Sequence, residues 1–298
     1  MEFVNEESVK KIIKDLYPNA TKVNFINHGY DNIVVLVDEQ YAVRFPRDET
    51  AYARALFEKK ILNGLEDLKE IIIPKIISEG INPPYIVTNF IRGQHPTAED
   101  INAMSVEDQK RIGEKIGTFV YEMHSLLSMP VVTKFREEYK LDELEGTWSE
   151  RVKKTLDQTT FPTAQQDKLA KKYFNLWNEK ANKAPTVVVH DDLHTENMLF
   201  EEKELIGILD FGDTDIGTPE QDFRQLYRIN TTVLDSAIEV YEKLSGVKVD
   251  TETSKIWAIV QELAVHSEKL LIKDTLHPAY LRTVKNLQKW LPEGNWGI

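Results

Sequence analysis

Two short apolar runs, Thr186–Val189 and Leu205–Leu209, each lead straight into a polar segment. The first polar segment reads His190-Asp191-Asp192-Leu193-His194-Thr195-Glu196-Asn197. The second, thirteen residues beyond Asn197, reads Asp210-Phe211-Gly212-Asp213. Runs of this length, rich in β-branched residues, read as buried strands. The polar groups therefore sit at strand ends, and a fold that accepts both must expose the two ends to one cleft.

The spacing is H-x-D-x-x-x-x-N followed by D-F-G. It places one carboxylate to meet a hydroxyl and an amide plus a second carboxylate to hold Mg²⁺ on phosphates, the requirements of phosphoryl transfer. The first pattern alone arises by chance in about one or two chains in a hundred of this length, and the pair in roughly one in ten thousand.

Charge concentrates at the same place. Residues 190–222 hold eleven Asp or Glu and a single base, Lys203, and so carry −10 of the chain's net −12. The net charge of −12 argues against a nucleic-acid partner. The local balance predicts that Mg²⁺ neutralises part of the cluster and that the rest suits a small cationic substrate. The chain has no cysteine, which removes disulfides, thiol nucleophiles and zinc–thiolate sites. The acidic start, Met1-Glu2-Phe3-Val4-Asn5-Glu6-Glu7, lacks the apolar stretch of a signal peptide. Runs such as Ile71-Ile72-Ile73 are too short to cross a bilayer. The expectation is a cytoplasmic protein that does not engage membranes.

At 298 residues the chain is long enough for one large domain or two lobes. Asn5 caps an expected helix ending near Tyr17-Pro18. Short strand-like runs follow at Val23–Ile26, Ile33–Val37 and Tyr41–Phe45. A helix is expected from about Glu49 to Leu62, and then a hairpin about Asn82-Pro83-Pro84. Beyond Gly93 helices dominate, with Ser105 and Asp108 capping one that runs to about Leu127. Further helical stretches are read near 134–157 and 163–180. The predicted class is α+β, two lobes: residues 1–92, a small antiparallel-sheet lobe, and residues 93–298, a larger helical lobe.

From about Val23 to Tyr227 the chain resembles the aminoglycoside phosphotransferase family, within the broader protein-kinase-like fold. The resemblance makes Asp192 the catalytic base, a role that also requires it to stay ionised. It makes Asn197 and Asp210 the Mg²⁺ ligands and His190 a support of the loop. Asp222, in Gly217-Thr218-Pro219-Glu220-Gln221-Asp222, resembles the aspartate that braces the catalytic loop backbone, although Thr218 stands where the family often has Asp. Tyr41-Ala42-Val43-Arg44-Phe45 occupies the place of V-A-I-K, with Arg44 for the phosphate-binding lysine. Arginine keeps the charge but brings a larger, rigid fork. Glu58 is its implied partner. Asn89-Phe90-Ile91 resembles the hinge, where the Asn89 carbonyl and Ile91 amide would hold a purine. The turn His28-Gly29-Tyr30-Asp31-Asn32 would cover the phosphates. Glu268 is a candidate for binding a cationic acceptor.

The donor implied is ATP or GTP with Mg²⁺, and the acceptor a hydroxyl of a small cationic molecule, an aminoglycoside first. A macrolide, or a housekeeping metabolite such as choline, a sugar or an amino alcohol, is the alternative. A nucleotide-binding pseudokinase is the reading outside this chemistry, but it would be expected to have lost one of Asp192, Asn197 and Asp210. His190 and His194 superficially match H-E-x-x-H, but that motif needs a helix where Thr186–Val189 argues for a strand. No Walker-type loop is present.

Overall fold

A computed structural model describes residues 3–26 and 31–297. Helix α1 (Glu6–Leu16) starts where expected, with Asn5 Oδ1 accepting the Ser8 amide at 3.0 Å. Strands β1 (Val23–Ile26), β2 (Asn32–Val37) and β3 (Tyr41–Pro46) then meander. Helix α2 (Glu49–Gly64) interrupts them before the hairpin of β4 (Ile76–Ile81) and β5 (Pro84–Asn89). The five strands form one antiparallel sheet in the order β1-β2-β3-β5-β4. On β2 the period-2 alternation buries Ile33, Val35 and Val37 against Val9 and Ile13 of α1.

The helical part begins with α3 (Ala98–Asn102) and α4 (Val106–Leu126). The Ser105 hydroxyl accepts the Asp108 amide at 3.1 Å, and the Asp108 carboxylate meets the Ser105 side chain as well as Arg111 and Lys203. The continuous helix expected near 134–157 is instead three: α5 (Met129–Glu138), α6 (Leu141–Glu145) and α7 (Trp148–Gln158). Gly146 adopts φ +72°, a left-handed conformation that costs glycine little, and Thr147 and Glu150 form a capping box that starts a new helix. Helix α8 (Ala164–Leu176) continues through a π turn at Trp177–Ala181.

Next come β6 (Val187–Val189), β7 (Met198–Glu201), β8 (Glu204–Ile208) and β9 (Asp215–Gly217), followed by α9 (Pro219–Phe223) and a 3₁₀ turn over Arg224–Arg228. The chain closes with α10 (Thr231–Ser245), α11 (Thr251–Leu271) and α12 (Pro278–Trp290). Strand β6 pairs with β9, and β7 with β8, so the two polar segments leave separate ribbons.

Helices α4 and α10 pack closely because Gly113 and Gly117 present no side chain. A Cβ on Gly117 would lie 2.2 Å from the Ala237 carbonyl oxygen. The large core joins Phe57 of α2, Phe119 of α4, Val188, Phe211 and Leu234. It runs beneath both polar segments and so fixes their floor. No helix is long and apolar enough to cross a membrane among the described residues.

Candidate functional site

A cleft of about 930 Å³ opens between the sheet and the helical part. Arg44, Glu58, Asn89, Phe90 and Ile91 line it on one side, and Asp192, Asn197 and Asp210 on the other.

Each carboxylate is placed by local geometry. Strand β6 ends at Val189, and Asp191 turns the chain with φ +67°, a left-handed conformation uncommon outside glycine. The turn is held by Arg224, whose Nη1 donates to Asp191 Oδ1 and whose Nη2 donates to the Asp191 carbonyl, both at 2.5 Å. Asp222 is buried and accepts the amides of His190 (3.2 Å) and Asp191 (3.0 Å). Its Oδ2 also lies 3.0 Å from His124 Nε2 on α4. Burial works to raise the Asp222 pKa, but these donors outweigh it and hold the group below the usual carboxylate range.

Asp192 is fully engaged. Its Oδ1 accepts Gln225 Nε2 at 2.8 Å, and its Oδ2 accepts Asn197 Nδ2 at 3.0 Å and faces His194 Nε2 at 3.2 Å. Burial pushes the pKa up, but His194 and Gln225 more than offset it, so the carboxylate stays ionised well below its ordinary range. His190 is buried and its pKa is lowered by the loss of water; its Nδ1 accepts the Asp192 amide at 3.3 Å, and its ring lies 4.7 Å from that of Phe211.

Asp210 also has positive φ, +62°. Its carboxylate opens to the cleft, but the protein walls around it reduce its hydration. That loss, with Glu58 and Asp192 adding negative charge, raises its pKa to about 6. Across the cleft, Arg44 Nη1 pairs with Glu58 Oε2 at 2.7 Å, and Glu58 Oε1 accepts the Phe211 amide at 3.3 Å. Burial opposes the Arg44 charge, but Glu58 and Asp210 outweigh it and raise its pKa. Arg44 Nε and Nη2 are buried without a hydrogen-bond partner.

These residues fit a phosphate and a hard cation. Unmatched guanidinium donors suit phosphate oxygens. Among the described residues no cluster of three or more His, Cys, Asp or Glu is built to hold a metal by itself. One carboxylate and one amide, with the rest of the shell left to water and phosphate, suit Mg²⁺.

The other expectations fare differently. Asn89 lines the cleft, with its own amide bonded to the Lys75 carbonyl and its side chain to the Lys75 amide. Residues 28–30 of the expected phosphate-covering turn lie outside the described residues. Glu268 lies on α11, exposed, beside Lys269 Nζ at 2.8 Å, and is not among the residues lining the cleft. Four of the eleven acidic residues in the segment are matched by Lys or Arg from elsewhere. Asp191 pairs with Arg224, Asp213 with Arg54 (3.3 Å), Asp215 with Arg136 (3.2 Å) and Glu204 with Lys115 (3.1 Å). The excess charge facing the cleft is therefore smaller than the sequence total implies. Gln225, Arg228 and Glu262 were missed as contributors. The only sequence signal for Gln225 and Arg228 was their three-residue spacing from Asp222, and Glu262 had none.

A family model described as the phosphotransferase enzyme family matches residues 22–255. Among solved structures, the chain is similar to the GDP and kanamycin complex of APH(2")-IIia, with 15% identity and TM-score 0.76 over 95% of this chain and 98% of that one. The streptomycin–ATP ternary complex of APH(2")-IIa gives 16% identity and TM-score 0.65 over 93% and 96%. The apoenzyme of macrolide 2'-phosphotransferase MphH from Brachybacterium faecium gives 15% and 0.66 over 92% and 98%. At such identities these likenesses show the fold.

Proposed function

Because the chain belongs to the phosphotransferase enzyme family, we propose that it transfers the γ-phosphoryl group of ATP or GTP, with Mg²⁺, to a hydroxyl of a small molecule. The observation that carries this reading is the gathering of Asp192, Asn197 and Asp210 on one wall of the cleft, opposite the unmatched donors of Arg44.

In this reading residues 1–92 bind the nucleotide, with Asn89 and Ile91 at the purine edge and Arg44, set by Glu58, at the phosphates. Residues 93–298 carry the acceptor site. Asn197 and Asp210 hold Mg²⁺, which would neutralise charge on the phosphates and orient them. Asp192 receives the acceptor hydroxyl. Its depressed pKa makes it a weak base, so its main work is to aim the hydroxyl oxygen and to take the proton late. Asp222 and His190 keep the loop in shape.

The first acceptor to test is an aminoglycoside, in view of the kanamycin and streptomycin complexes of similar folds. A macrolide, or a small metabolite such as choline, a sugar or an amino alcohol, is the second reading. It is supported by the macrolide 2'-phosphotransferase of similar fold and by the ion pairing that reduces the charge of the acidic segment.

The experiment is nucleotide consumption by the purified protein with Mg²⁺ and either ATP or GTP, against kanamycin, a macrolide, choline and a set of sugars, with mass detection of the phosphorylated product. Asp192→Asn should lower kcat by about 10²–10⁴ while nucleotide still binds. Full activity in that variant sinks the mechanism. Binding of Mg–nucleotide without turnover on any acceptor would leave a binding protein instead.

A further inference from the structure

We propose that Glu262, buried in α11, sets the orientation of Asp192 through Arg228 and Gln225, and that these three are positioning residues for phosphoryl transfer. The inference rests on the functional reading above for the role of Asp192, and on geometry for the rest.

The chain of contacts is continuous. Arg228 Nε donates to Glu262 Oε1 at 2.5 Å. Arg228 Nη1 donates to Gln225 Oε1. Gln225 Nε2 donates to Asp192 Oδ1 at 2.8 Å. The Glu262 side chain is 0% exposed and Gln225 is 1% exposed, so these two members are shielded from water. The order also fixes the amide. Arg228 has only donors, so it selects the Gln225 oxygen and turns the NH₂ toward the carboxylate.

Backbone geometry explains why these residues act together. A 3₁₀ helix has about three residues per turn, so side chains at i and i+3 eclipse. The turn over Arg224–Arg228 follows directly on α9, which carries Asp222, and sets Gln225 and Arg228 on one face. Asp222 holds the backbone of the 190–191 segment, and Gln225 holds the side chain of Asp192. Two consecutive helical segments thus fix the loop and its carboxylate together.

Glu262 has a second cationic neighbour. Arg282 Nε lies 3.6 Å from the same Oε1, and Arg282 lines the cleft. The carboxylate that anchors the chain to Asp192 therefore also faces a residue of the cleft wall.

The test uses two variants of the whole protein. Gln225→Glu keeps an acceptor for Arg228 but no longer donates to Asp192. It should lower kcat about a hundredfold, the scale of a lost orientation, while the dissociation constant for Mg–nucleotide stays within twofold. A residue that merely supports the fold would move both. A crystal structure of this variant should show the Asp192 carboxylate rotated. Arg228→Lys replaces two separate donor nitrogens with one ammonium, whose three N–H groups radiate from a single atom and do not reproduce both bonds in this geometry. It should lower kcat about tenfold with nucleotide affinity again unchanged, and it carries the test if the first variant does not fold. A kcat within twofold of wild type in the variant tested, or an unmoved Asp192 carboxylate, overturns the proposal. The functional reading fails separately, on the wild-type protein, if no nucleotide is consumed. The carboxylate orientation still decides the chain in that case.

Discussion

Arg44 Nη1 and Glu58 Oε2 stand 2.7 Å apart, with the Glu58 side chain only 3% exposed. The pair joins β3 to α2, and Glu58 passes the connection on to the Phe211 amide. Arg44→Ala should therefore weaken nucleotide binding by about 10–100-fold, the equivalent of one charged hydrogen-bonding group. Arg44→Lys should recover part of that loss. Glu58→Gln should be costlier to stability, by about 3 kcal/mol, because it leaves a buried guanidinium without its counter-charge. Isothermal calorimetry and urea titration separate the two effects.

Asp222→Ala removes the acceptor for two backbone amides and for His124 at once. We expect about 3 kcal/mol of lost stability and a larger fall in kcat than in nucleotide affinity, since the loop that carries Asp192 loses its brace. His124→Ala, which deletes one of those three donors, should cost less. Equal effects of the two substitutions in urea titration and in kcat would contradict this arrangement.

Protons and Mg²⁺ should compete for Asp210. Its pKa of about 6 lies above the ordinary value of 3.8, so the neutral form is favoured over more of the acid range. Metal binding needs the ionised form. The Mg²⁺ affinity of the nucleotide complex should be flat above pH 7 and fall about tenfold per unit below pH 6. The Asp210→Asn variant should lack that slope, and a titration of Mg²⁺ dependence from pH 8 to 5 reads the difference.

His266 should make the fold sensitive to acid. It lies between the rings of Tyr280 (4.7 Å) and Phe161 (6.5 Å), and its Nδ1 is 3.0 Å from Thr283 Oγ1. The Thr283 hydroxyl already donates to the Tyr280 carbonyl, so Nδ1 carries the proton and the buried Nε2 has no partner. Burial lowers the pKa from 6.5 to about 4. A depressed folded pKa contributes stability that is complete above 6.5 and lost as pH falls through 4. Its full worth is about 3 kcal/mol. Between pH 7 and 4 the wild type should lose more stability in urea than His266→Phe does. Parallel losses would refute the assignment.

The strands and the catalytic segments were legible because their signals are local. β-branched runs bounded by turn residues gave β1 to β6 and β8, and fixed spacing gave the segments at 190–197 and 210–213. The short strands β7 and β9 were missed, since Met198–Glu201 and Asp215–Gly217 lie inside polar, acidic sequence. The break at Gly146 was readable from a glycine followed by Thr147 and Glu150, but the apolar period on either side masked it. The charge count over 190–222 misled for a physical reason. Composition along a segment says nothing of bases brought in by other elements, and Arg54 and Arg136 come from α2 and α5. Glu262 carried no signal, because a glutamate in a helix reads as solvent-facing until its burial is seen.

The contacts that shape the site also fix when it can exist. The bond from His124 to Asp222 spans 98 residues, and that from the Phe211 amide to Glu58 spans 153. Contacts that close loops this long form late in folding, because chain entropy is lost before they contribute. A partly folded chain can hold its hairpins and α4 yet have no aligned carboxylates. Recovery of turnover during refolding should therefore lag recovery of helix, and the protein's own activity becomes a clock for the last step of its assembly.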